Sequence, residues 1–128
     1  MLTQATGESL IHDTVYINHF SYVSDLNRMS ASIDLVHPTD VGIVPVISDD
    51  TYDFNIMGEP KTVAKITGPS KLKASRVIVN DADYGVVALL AALCAEGKSE
   101  IIGIENIDYA FEGLLTRLKN LGANIWEQ

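Results

Sequence analysis

Apolar residues fall at the same relative places in two stretches of this chain. In "FSYVSDLNRMSASI", residues 20–33, they are Val23, Leu26, Met29, Ala31 and Ile33; in "NIDYAFEGLLTRLKNLGANI", residues 106–125, they are Leu115, Leu118, Leu121, Ala123 and Ile125. Steps of three followed by steps of two predict an amphipathic helix that stops and gives way to a strand. In the later copy Phe111, Leu114, Leu115, Leu118 and Leu121 form the apolar stripe, Glu112, Arg117, Lys119 and Asn120 the polar one, and Gly122 the stop. In the earlier copy the helix runs over 23–29, and Ser30 stands where Gly122 would be. Short strands are expected over 33–36 and 123–127. Upstream of each copy, "MLTQATGES" and "LCAEGKSE" read as the last turn of a helix closed by Gly7 or Gly97. Strand-like runs over 10–16 and 100–104 follow. The expected unit is helix, strand, helix, strand, used twice.

The run "VVALLAALCA", residues 86–95, is apolar on every side. That predicts a helix over 84–96 enclosed by protein all round, the hub of the fold. It is about half the roughly 20 residues that a membrane span requires. Between the copies the pattern changes. From Asp34 to Pro60 there are six acidic residues and no Lys or Arg. "IVPVISDDTYDFNIMGEP" reads as a hairpin, with Tyr52, Phe54 and Ile56 alternating with Asp53 and Asn55, "SDD" at the turn and Pro45 on an edge strand. Further strands are expected over 62–67 and 76–79. No Gly-, Ser- or Pro-rich linker divides the chain, so a single domain over 1–128 is expected.

Composition narrows the function classes. With 128 residues, 47% of them hydrophobic and 20% charged, the chain suits a folded domain with a real core. A net charge of −8 argues against a nucleic-acid partner, which needs clustered Lys and Arg, and against an anionic membrane surface. One cysteine makes no internal disulfide and no secretory signal is evident, so a cytoplasmic setting is expected.

Three segments carry a resemblance. "GPSKLKASRVIVNDADYGVVALLAALCAEGKSEI" is similar to a GP-x-KL-x-G lead, a D-L-R-A-x-x-A-L helix start and an A-E-G stop. "NIDYAFEGLLTRLKNLGANI" is similar to H-I-D-R-G-Y-E followed by L-x-x-L-G-A-x-I, and "GESLIHDTVYINHFSYVSDLNRM" to G-x-S-x-I-x-E-T-V-F-E-N-R-F-x-x-V-x-E-L-x-x-M. In this order they resemble the C-terminal part of the UDP-N-acetylglucosamine 1-carboxyvinyltransferases, enolpyruvyl transferases of peptidoglycan precursor synthesis. The related 3-phosphoshikimate carboxyvinyltransferases fit less well. The resemblance implies an α/β fold of βαβαββ repeats about a pseudo-threefold axis, with helices inside and mixed sheets outside. It also implies an incomplete repeat over 1–36, an acidic hairpin insertion over 37–60 and a complete last repeat over 61–128.

Such a site holds the phosphate and carboxylate of phosphoenolpyruvate and moves protons, work for which guanidinium groups are suited. At the three places where the resemblance implies an arginine, this chain has His19, Asp83 and Tyr109. Tyr16, Asn18, Phe20, Asp81, Asp108 and Glu112 match or neighbour the family pattern and are the candidate substrate-binding residues. Capping of a following helix is the competing reading for Asp81 and Asp108, and a buried, satisfied hydroxyl for Tyr16 and Tyr109. No catalytic residue, metal or cofactor is assigned. Cys94, within the apolar helix, reads as an inert core residue. His12, His19 and His37 lack metal-ligand spacing, and Asp40, Asp49, Asp50 and Asp53 lack the pattern of a calcium loop.

Two functions from different classes follow. One is a portion of an enolpyruvyl transferase acting on UDP-N-acetylglucosamine and phosphoenolpyruvate only together with further domains. The other is a noncatalytic binding or assembly module that kept the fold and lost the site. Helices left uncovered by an incomplete core predict self-association, a completing chain, or a wall built from 37–60.

Overall fold

The computed structural model describes residues 1–126, the side chains of Asn106, Asp108 and Tyr109 excepted. It comprises two compact parts, one spanning Met1–Lys71 and the other beginning at Leu72.

In the first part a 3-10 turn at Leu2–Gln4 leads through Gly7 into β1 (Gly7–His12). A loop carries the chain to α1 (Val23–Arg28), β2 (Ser32–Val36), a second 3-10 turn at Pro38–Val41, α2 (Phe54–Met57) and β3 (Val63–Gly68). The last strand in sequence is the middle one in space: the order is β1-β3-β2, antiparallel on both sides. Burial agrees with that position: β3 buries Val63, Ala64 and Ile66, whereas β2 buries Ile33 alone and β1 no residue fully. Ile33 and Ser9 both face Ile66 across the sheet, and Leu35 and Ile11 both face Ala64. The opposite face is polar at its centre, where Lys65 stands between Leu10 and Asp34 and pairs with Glu8 at 2.9 Å. The apolar stripe of α1 buries Val23 and Leu26, with Met29 fully enclosed just beyond its end. The free edge of β2 is closed by a side chain: the Asn27 amide donates to Ile33 O at 2.7 Å and accepts from Ile33 N at 3.1 Å.

In the second part β4 (Arg76–Ile78) and β5 (Glu100–Ile102) are parallel, joined through α3 (Ala82–Cys94) as a crossover. Then come α4 (Glu105–Ala110) and α5 (Leu114–Asn120). The core is Leu89, Ile107 and Leu115, with Val86, Ile101, Ile104, Leu114, Leu118 and Ile125 against it. Gly85 sets the approach of α3 to α4, since a Cβ there would lie 2.5 Å from Ile107 Cγ1.

Several expectations are corrected. The helix α3 forms where expected but is not enclosed. Gly85, Ala88, Leu89 and Ala91 are buried, while Leu90, Leu93 and Cys94 are exposed, so Cys94 is not a core residue. A helix without a polar face still buries only the side against which something packs. The hairpin expected within 37–60 is not formed. Residues 43–47 form no strand, and Phe54–Met57 is a helical turn capped by Asp53, whose carboxylate accepts from Asn55 N at 2.8 Å. That local bond competes with strand pairing. The helix expected through Phe111 to Leu121 is interrupted: Phe111 leaves helical geometry, and Gly113, at φ +64°, starts α5 afresh. Residues 123–126 form no strand; Glu127 lies outside the described residues. β1 ends at His12 rather than Tyr16 because Asp13 turns the chain.

Candidate functional site

The loop between β1 and α1 gathers the matched residues of the first part. Asp13 organises it. Its Oδ1 accepts from Val15 N at 2.8 Å and Tyr16 N at 2.9 Å, and its Oδ2 meets His19 Nδ1 at 2.5 Å. An aspartate that satisfies the backbone N–H groups two and three residues on is the local chemistry that folds such a turn. The Tyr16 ring lies edge-on to His19 with centroids 5.4 Å apart, Phe20 stacks on His19 at 6.5 Å, and Tyr22 meets Phe20 edge-on at 6.2 Å.

The carboxyl of Asp13 is held below its ordinary value. Burial is the largest single influence and acts upward, but the N–H groups of Tyr16 and Val15 and the His19 imidazole together outweigh it. Burial, then the nearby Asp13 charge, push the Tyr22 hydroxyl upward. Pairing through Nδ1 fixes the ring of His19 with Nε2 on the far side from Asp13. A carboxylate-oriented imidazole can accept or donate one proton at that nitrogen, and when protonated it can donate to an anion.

The sequence candidates are distributed as follows. Tyr16, Asn18 and His19 are exposed, whereas Phe20 is buried and anchors the loop. Asp81 caps α3, accepting from Tyr84 N at 2.7 Å, and Asp83 is exposed in the first turn of the same helix. There a negative charge is favoured by the helix dipole. Glu112 is exposed at the break before α5. Asp108 and Tyr109 fall inside α4, not ahead of it, and their side chains lie outside the described residues. The structure therefore joins Tyr16, His19 and Phe20 in one loop. It also adds Asp13 and Tyr22, which the sequence reading missed. The legible signal for Asp13 was "HDTVY", an aspartate followed by free N–H groups just after a strand.

No arginine occurs in the 13–22 loop. Arg28 is paired with Asp25 on α1 and Arg76 with Glu100 across β4 and β5, both exposed, while Arg117 lies in the last turn of α5. Among the described residues no cluster of His, Cys, Asp and Glu suits a metal ion, and no helix is long and apolar enough to cross a membrane.

An antiparallel three-stranded sheet, and a parallel pair of strands joined through a crossover helix, match part of the enolpyruvyl transferase fold. The enolpyruvyl transferase NikO from Streptomyces tendae matches 95% of this chain with a TM-score of 0.69 at 19% sequence identity, over 23% of its own length. In sequence, the chain is similar from end to end to part of the UDP-N-acetylglucosamine 1-carboxyvinyltransferases. The UDP-N-acetylglucosamine 1-carboxyvinyltransferase 2 of Geobacillus kaustophilus is 33% identical over 128 residues, and that of Shouchella clausii 30% over the same span. The counterpart from Listeria monocytogenes is 31% identical over 125 residues. In each case the chain spans 24% of the relative's length. No family model matches the chain.

Proposed function

We propose that this chain is a portion of the enolpyruvyl transferase scaffold that does not by itself carry enolpyruvyl transfer. In that reaction a sugar hydroxyl of UDP-N-acetylglucosamine adds to the carbon of phosphoenolpyruvate that bears the phosphate, the neighbouring methylene gains a proton, and loss of phosphate and a proton leaves the enol ether. Developing charge on the phosphate and carboxylate must be met by fixed cations. One observation carries the reading: two of the three arginines are held in exposed ion pairs, Arg28 with Asp25 and Arg76 with Glu100, and the third lies in the last turn of α5. His19, Asp83 and Tyr109 occupy the positions where the resemblance implies arginines. On this reading 1–36 is an incomplete repeat, 61–128 the last repeat and 37–60 an acidic insertion, in a cytoplasmic protein of peptidoglycan precursor synthesis. Tyr16, Asn18, Phe20, Asp81, Asp108 and Glu112 are then remnants of the family's substrate-binding positions, which need further polypeptide to grip ligands.

The alternative, a noncatalytic binding or assembly module, is favoured by a different observation. The outer side of α3 exposes Leu90 and Leu93 without polar residues between them, a surface suited to a completing chain or a second copy. The deciding experiment measures phosphate release from phosphoenolpyruvate in the presence of UDP-N-acetylglucosamine, alongside NMR titration of the purified 128-residue protein with each compound. The proposal expects no release and no saturable shifts at Tyr16, Asn18 or Asp81; turnover by this chain alone refutes it. Saturable binding without turnover refutes the loss of the site but leaves the catalytic conclusion standing.

A further inference from the structure

The segment between the 3-10 turn at Pro38–Val41 and β3 is a long surface loop tied shut at its base. Glu59 accepts from Thr39 N at 2.8 Å through one carboxylate oxygen and from Thr39 Oγ1 at 2.7 Å through the other. Inside, Tyr52 OH donates to Gly58 O at 2.9 Å and the Tyr52 and Phe54 rings meet edge-on at 5.1 Å. Asp49 holds Thr51 through both its backbone N–H and its hydroxyl. A long surface loop closed by its own internal bonds is of a kind frequently used for recognition.

Large apolar side chains are exposed along it: Val44, Ile56 and Met57 are 77%, 83% and 63% exposed, and Val46, two residues after Val44, is exposed as well. Along 43–47 exposure alternates, Val44 and Val46 being exposed and Ile43, Pro45 and Ile47 half-buried. The loop's charge has one sign: Asp40, Asp49, Asp50, Asp53 and Glu59, with no Lys or Arg. An isolated exposed valine needs no explanation, but four large apolar side chains presented by one bonded loop do.

We propose that this loop is a docking surface for a basic, extended polypeptide segment of another protein, with apolar side chains alternating with Lys or Arg. Charge selects the occupant. A second copy would bring five more carboxylates against these five and add to a net charge of −8 on each chain, so like-charge repulsion opposes self-pairing here. An anionic lipid surface is opposed for the same reason. A basic segment gains from both terms: its apolar side chains cover Val44, Val46, Ile56 and Met57, and its cations meet the aspartates.

The test uses a blocked, fluorescein-labelled hexapeptide alternating lysine and valine, and a twin alternating glutamate and valine, with anisotropy read against the 128-residue protein. The lysine peptide is expected to bind and to weaken by about tenfold or more when salt rises from about 50 to 500 mM; the glutamate twin is expected not to bind. The V44S/I56S double variant, changed only at exposed positions, should lose the binding while keeping the wild-type thermal midpoint. The D50K variant should weaken it severalfold. Equal binding of the two peptides, undiminished binding by V44S/I56S, or no binding of the lysine peptide at low salt overturns the proposal. So does a concentration-dependent dimer in sedimentation that V44S/I56S abolishes, which would assign the surface to a second copy.

Discussion

The stretches 23–33 and 115–125 share their apolar spacing and, in part, their geometry. Both helices end in the same way: Met29 N bonds Asp25 O and Ala31 N bonds Leu26 O, as Leu121 N bonds Arg117 O and Ala123 N bonds Leu118 O. The left-handed residue between is Ser30 at φ +71° in one and Gly122 at φ +94° in the other. The turns upstream also agree, with Ala5 and Ala95 at nearly the same extended backbone angles and Gly7 and Gly97 both at positive φ. Beyond the helix ends the two part company. Met29 and Ile33 are enclosed and β2 joins a sheet, whereas Leu121 is 84% exposed and 123–126 stay unpaired. The local hydrogen-bond pattern is written in a few residues, but a strand exists only where a neighbour offers a ladder. β3 provides that ladder for Ile33, and the Asn27 amide closes its other edge. At the place corresponding to Asn27 the later copy has Lys119, whose ammonium can donate but cannot accept.

The comparison can be broken most sharply at its buried and exposed equivalents. Met29→Ala should cost about 2–5 kcal/mol of stability, while Leu121→Ala stays within about 0.5 kcal/mol; urea midpoints of the two variants measure the gap, and equal losses would mean that Leu121 is covered in solution. Next in size, Gly85→Ala drives a methyl into Ile107 and should destabilise by about 1–3 kcal/mol, seen as a lower thermal midpoint and faster amide exchange in α3 and α4.

Asn27→Ala removes both bonds to Ile33 and should cost about 1–3 kcal/mol. Hydrogen exchange should accelerate first at the Ile33 amide, with Ile66 less affected. Smaller still, Ser30→Gly relieves a side chain held at positive φ and should stabilise by about 1 kcal/mol, whereas Gly122→Ser should destabilise by a similar amount. Opposite signs in calorimetry would establish that the two stops are the same device.

The smallest effect is the pH term of Asp13. Its folded-state value is depressed, so the stability it contributes is present above the ordinary 3.8 and is lost as pH falls through the lower folded value. Asp13→Asn should flatten that acid limb without changing its slope above pH 5, as followed by acid titration of tyrosine fluorescence.

What the chain's sequence determined is local. Helix stops at Ser30 and Gly122, the cap at Asp81, the helical span of the greasy 86–95 segment and the strands around Ile33, 62–67 and 76–79 all follow from propensity, spacing and short-range hydrogen bonds, which involve neighbours in the chain. The likeness to enolpyruvyl transferases was legible too, because ordered motifs survive where single contacts do not. The candidate site was half legible: Tyr16 and His19 stood out, but Asp13 acquired its role only when the turn brought its carboxylate to the imidazole. Tertiary structure alone decided which apolar positions are covered. Burial of α3 on one side rather than all round, the central place of β3, the exposed Leu121 and the closed loop over 39–59 each depend on what packs against a segment. Periodicity records a segment's demand for a neighbour, and only the folded chain determines whether one is there.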